Sequence, residues 1–104
     1  MIYYQATLPI AAGKIYEFND LLANHLQPGF ERYGAKLIGS WETAVGTLNE
    51  VTDLWGFENM GHFEESFQSF LRDKELRPIW PKAPTIILGE TGKLLRPLPC
   101  SPLK

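Results

Sequence analysis

The chain lacks the means to staple itself: among 104 residues there is one cysteine, Cys100, so an internal disulfide is excluded. It also lacks an excess of charge of one sign. Ten Lys and Arg face twelve Asp and Glu for a net charge of -2, which leaves no basic footprint for nucleic acid or an anionic membrane surface. No apolar run approaches the ~18 residues that a membrane span requires. No charged segment followed by an apolar one precedes the first structured stretch, so the address expected is cytoplasmic. Gly-x-Ser-x-Gly elbows, CxxC pairs and dinucleotide glycine patterns are missing, which removes the footholds of serine-nucleophile, thiol and nicotinamide chemistry. Gly89-Glu90-Thr91-Gly92-Lys93 has the wrong glycine spacing for a phosphate loop, and Leu94 stands where Ser or Thr is needed. It reads as a tight turn.

No metal and no cofactor are expected. His62 and Glu64 echo half of a zinc-deaminase motif, but the later Cys pair is absent and side chains two apart on a helix diverge. His25 lies beside an apolar stripe and reads as a partly buried or capping histidine.

What is present is a clear alternation of element types over a single domain, residues 1–104. At this length folding hides roughly 60 to 70% of the chain's surface, enough for one core. Ile2 to Leu8 puts Ile2, Tyr4, Ala6 and Leu8 on one parity and stops at Pro9, the pattern of a strand. Ile15, Phe18, Leu22 and Leu26 recur at helical spacing, and Phe30 and Tyr33 keep the period past Pro28, where a kink or short break is expected before Gly34 ends the segment. Ala35 to Val45 and Glu50 to Phe57 are β-rich and joined by Gly46-Thr47-Leu48-Asn49, an antiparallel hairpin. Asn59 is set to cap a helix carrying Met60, Phe63, Phe67, Phe70 and Leu71 on one side. Six of the eight prolines lie from Pro78 onward and break that region into a helical turn around Leu76, Ile79 and Trp80, a β-like stretch from Thr85 to Leu88, and a last extended piece near Lys93 to Leu95. The tail from Arg96 to Ser101 is expected to be ordered, since Leu94, Leu95 and Leu98 are apolar and Pro97 and Pro99 lower the entropy lost on docking.

The order β, α, β, β, α, β predicts an α+β, ferredoxin-like βαββαβ domain with an antiparallel sheet and both helices on one face. Neither parity of the strands is clearly polar. Val51, Trp55 and Phe57 oppose Leu54 and Gly56, and Leu37 with Trp41 opposes Ile38. Two helices cover one face, so the other is expected to meet a second copy in a dimeric α/β barrel. A one-residue slip in the hairpin would exchange which Trp faces that partner, so the faces are not assigned.

Asp53 breaks the apolar pattern. A carboxylate between Val51 and Trp55 on a buried strand is costly unless paired or protonated, and such positions gather at functional sites. The two readings are a structural group at the dimer seam, hydrogen-bonded to the partner, and a cavity-lining group with Trp41 or Trp55. The seam is the reading expected. Trp41, Asp53 and Trp55 are the candidate ligand-binding residues, and no catalytic residues are assigned because no acid, base and nucleophile converge in the sequence.

Three stretches carry a family likeness: Tyr33-Gly34-Ala35-Lys36-Leu37-Ile38-Gly39-Ser40-Trp41, the hairpin Gly46-Thr47-Leu48-Asn49-Glu50-Val51 leading to Leu54-Trp55, and the ending Leu94-Leu95-Arg96-Pro97-Leu98-Pro99-Cys100-Ser101-Pro102. In this order and spacing they resemble the NIPSNAP family of the dimeric α/β-barrel superfamily. The resemblance implies a ferredoxin-like protomer and a homodimer, of the compact bacterial type. It implies no agreed catalytic residues, and where members often carry a His in the third strand this chain has Asp53. The function expected is a non-catalytic dimer that binds a small apolar ligand or a protein partner. The alternative, implied by the superfamily, is a cofactor-independent monooxygenase or isomerase acting on a small apolar molecule.

Overall fold

The computed structural model describes all of residues 1–104. Strand β1 (Ile2–Pro9) lies at the centre of the sheet, antiparallel to β3 (Glu50–Phe57) on one side and to β4 (Thr91–Leu95) on the other. Strand β2 (Lys36–Glu42) completes the order β2-β3-β1-β4. Each crossover therefore skips a position that a later or earlier strand fills, which is the ferredoxin-like βαββαβ topology expected.

The first crossover is a helical rod in three parts: α1 (Ile15–Leu21), a π-helical turn (Leu22–Leu26) and α2 (Gln27–Glu31). Pro28 has no amide hydrogen for the carbonyl four residues back. The turn just before it widens, and the Gln27 N–H donates to the Leu22 carbonyl, five residues away. The break expected at Pro28 is realised as this widened turn, with Pro28 in the opening turn of α2 where a missing N–H costs little. Gly34, at φ +93°, turns the chain out of the helix.

The second crossover begins at Asn59, whose side chain accepts from the His62 N–H at 2.8 Å and caps α3 (Met60–Arg72). After it come a 3₁₀ turn (Lys74–Leu76) and a short helix α4 (Ala83–Ile86). The stretch Thr85 to Leu88, expected to be β-like, is thus helical in its first half. Pro84 sits in the first turn of α4, where its fixed φ favours a helix, and only Ile87 forms an isolated bridge with Ile10. Strand β2 ends at Glu42, short of Val45, because the hairpin loop closes early with the Thr43 N–H on the Glu50 carbonyl.

Helices cover one face of the sheet, over Ile2, Ala6, Leu8, Val51, Trp55 and Phe57, all buried. Phe30 of α2 is the hub, with ring centroids 4.9 Å from Trp55, 5.4 Å from Phe57 and 4.6 Å from Phe70. The opposite face carries Tyr3, Ile38, Leu54 and Leu95 and no helix. The tail does not bury its leucine: Leu98 is 69% exposed. No helix is long and apolar enough to cross a membrane.

The ends of α2 and α3 are tied by Asp73, which accepts from Arg32 at 2.7 Å, from the Tyr33 hydroxyl at 2.8 Å and from the Glu75 N–H at 2.7 Å. The Arg32 guanidinium first, and then the Tyr33 hydroxyl, hold the carboxyl well below the usual carboxylate range, at about 2. Folding lowers this pKa, so Asp73 stabilises the fold fully above the unfolded value of about 3.9 and loses its effect as pH falls toward 2. Urea unfolding of Asp73→Asn is expected to show a lower midpoint than wild type at pH 7, the difference shrinking between pH 4 and 2. Equal midpoints at pH 7 contradict the tie.

Candidate functional site

The helix-covered face has one row of small residues across the sheet. The ladders align Ser40 with Asp53, Asp53 with Ala6, and Ala6 with Gly92. The neighbouring row is Leu37, Trp55, Tyr4 and Leu94. Between such bulky neighbours the small row leaves space beneath the helices, and Leu22 and Leu26 of the π turn with Phe30, Phe67 and Phe70 roof it. The result is an apolar cavity of about 80 Å³, room for on the order of five to eight water-sized groups. Of its twelve lining residues only Asp53 and Glu90 carry charge.

Asp53 is 3% exposed. Its one side-chain hydrogen bond comes from the Ser40 hydroxyl, 2.5 Å from Oδ1. Ser40 reaches it through a β-bulge: the register shifts between Leu37 and Gly39, so Leu37 and Ser40, three apart, both fall on the helix side. Burial pushes the Asp53 carboxyl up to about 6; the charge of Glu90 adds to the rise and the Ser40 hydrogen bond works against it.

Tyr4 lines the same cavity, and its hydroxyl donates to the Glu90 carboxylate at the mouth. Gly92 makes this possible, since a Cβ there would overlap the Tyr4 hydroxyl. Burial, and then the hydrogen bond and charge of Glu90, raise the Tyr4 phenol above its ordinary value, so it stays protonated. A wider groove of about 310 Å³ runs between α1 and the edge strand β2, and it meets the cavity at two shared places, Leu22 and the Ser40–Asp53 pair.

Of the three residues singled out from sequence, the structure brings Asp53 and Trp55 together in the cavity. It places Trp41 outside the cavity, at the border of the neighbouring groove: beyond the bulge Trp41 pairs with Thr52, its ring lies over Gly39 on the opposite face, and it is 55% exposed. Asp53 itself faces the helices and not the open face on which a dimer seam was expected. Ser40, Tyr4 and Glu90 were missed. Tyr4 had a signal, since a phenol on the inward parity needs a partner for its hydroxyl. The histidines stay outside the site. His62 accepts the Glu58 N–H on Nδ1 at 3.1 Å and turns Nε2 to the Tyr33 carbonyl at 3.3 Å, while His25 is exposed.

A model of the NIPSNAP family matches residues 3–102. A NIPSNAP domain protein from Burkholderia xenovorans is 24% identical and superposes with a TM-score of 0.88 over 98% of this chain and 99% of that one. A NIPSNAP family protein from Agrobacterium tumefaciens is 23% identical, TM-score 0.90, over 99% and 98% of the two chains. A monooxygenase from Streptomyces coelicolor in complex with nanaomycin D shares the fold at 15% identity and a TM-score of 0.66, over 96% and 89%. No curated protein matches.

Because folding raises the Asp53 pKa, the folded chain keeps a proton that the unfolded chain releases between about pH 4 and 6, and stability falls as pH rises through that window. Asp53→Asn removes the effect. Urea melts are expected to show the variant more stable than wild type at pH 8, by up to about 3 kcal/mol, with the gap closing by pH 4. A variant less stable than wild type at pH 8 contradicts this account of the carboxylate.

Proposed function

The chain belongs to the NIPSNAP family, and from that footing we infer that it works as a homodimeric binding protein that holds a small apolar molecule under its helices. The observation that carries the reading is the cavity over Asp53. Cores close-pack, and a chain that leaves a buried carboxylate facing open apolar space holds a feature that folding alone does not require. Binding sites take this form: mostly apolar walls with a few placed polar groups. A carboxyl raised to about 6 is also suited to moving a proton near neutrality, which makes isomerisation of such a molecule the second reading.

The dimer is supported by the helix-free face of the sheet. Around the buried Tyr3, the half-buried Ile38, Leu54 and Leu95 offer apolar surface there, joined by the exposed ring of Trp41. A second copy would cover it by a two-fold, self-complementary contact.

Light scattering is expected to give about twice the 11.8 kDa chain mass, and Leu54→Arg, a charge at the centre of that face, is expected to give the single mass. A wild-type monomer contradicts the dimer. Binding is read by xenon, which enters apolar cavities: under xenon pressure the methyl NMR signals of Leu22, Leu26 and Ile87 are expected to shift. Ala6→Val fills the small row and is expected to suppress these shifts while the dimer persists. No xenon response in the wild type overturns the binding reading.

A further inference from the structure

We propose that the cavity takes a small alkylammonium ion, its nitrogen received by the open oxygen of Asp53 and its apolar body held by the aromatic walls. The inference rests on the binding reading above and names the ligand's chemical class.

The argument starts from what Asp53 is missing. A buried carboxylate is normally matched by a cation or by several hydrogen bonds. Asp53 has one neutral donor, Ser40, on Oδ1; Oδ2 takes no side-chain hydrogen bond and is not sealed in the core, so it is open to the cavity it lines. The groups packed against it supply none. The helices present only Leu22, Leu26, Phe30, Phe67 and Phe70 to the cavity, and neither Lys, Arg nor His lines it.

The remaining polar groups repeat the same demand. The Tyr4 hydroxyl has committed its proton to Glu90, so what it offers inward is a lone pair, and Glu90 brings a second carboxylate to the mouth. Apart from the indole N–H of Trp55, the unsatisfied polar sites in the cavity are therefore acceptors, two of them carboxylates. An anion is repelled by such a lining, and a ketone or ester brings no donor to it. An ammonium brings three donors and the charge that two carboxylates lack.

The walls agree. The rings of Tyr4, Phe30, Trp55 and Phe67 line the cavity, and aromatic faces attract a desolvated cation. Room for on the order of five to eight water-sized groups in about 80 Å³ fits an amine of about four carbons, or the amine end of a longer one whose body runs out past Leu22 into the neighbouring groove.

Three probes of one shape separate the possibilities: isobutylamine, isobutanol and isobutyrate, followed through the methyl NMR signals of Leu22, Leu26 and Ile87 at pH 8. There Asp53 is ionised and the amine, with a pKa near that of lysine at about 10.4, is protonated. The ammonium is expected to bind about tenfold or more tightly than the alcohol, as a charged hydrogen bond gives, and isobutyrate to give no shift. Asp53→Asn is expected to remove the amine's advantage and leave the alcohol's affinity within about twofold. Equal affinity for amine and alcohol, or a preference that survives Asp53→Asn, overturns the proposal while the cavity remains a binding site. If none of the three binds, the ammonium class is wrong, and the xenon response decides whether the binding reading falls with it.

Discussion

A carboxylate at position 53 is turned toward the helices, and the shape of the site follows from how it is accommodated there. Strand β3 alternates strictly, so the parity that buries Val51, Trp55 and Phe57 also buries Asp53. Its donor, Ser40, lies on an edge strand whose regular alternation would turn Leu37 and Ser40 to opposite faces. The bulge at Ile38 removes that conflict. One extra residue lets Leu37 stay beside Trp55 and delivers the Ser40 hydroxyl to the carboxylate; the same shift sends Trp41 to the other face.

The cavity is the second consequence. The row that carries Asp53 stays small across the sheet, with Ala6 beside it and Gly92 beyond. Gly92 then lets Tyr4 lean across to Glu90, so the mouth is set by a phenol and a carboxylate instead of by packing. Above, the π turn that accommodates Pro28 places Leu22 and Leu26 on the roof. π-helical turns recur at functional positions because they alter where side chains point without ending the helix.

Much of the architecture was legible because it rests on local periodicity. The alternation of Ile2 to Leu8, the three-to-four spacing from Ile15 and the cap at Asn59 each specify an element without reference to the rest of the chain. The fold class followed from their order. Asp53 and Trp55 were legible for a related reason, a charge inside an apolar run. Trp41 and Ser40 were not, because a bulge is decided by pairing across strands, and a one-residue slip reverses every face assignment after it. Glu90 was hidden inside a turn that read as a simple reversal, since its role depends on Tyr4, 86 residues earlier in the chain. The short helix at Ala83 was misread as strand because Thr, Ile and Ile favour β structure while Pro84, placed in a first turn, favours a helix.

All of this turns on whether Asp53 faces an apolar space with no cation of its own. The direct measurement is the titration of its side-chain carboxyl by ¹³C NMR in the protein free of added ligand, with the signal assigned by its disappearance in Asp53→Asn. An inflection near 6, as burial beside Glu90 dictates, is the expected result. An inflection at the ordinary aspartate value of about 3.9 would mean that the carboxylate is solvated or already paired, and would contradict the account of the site.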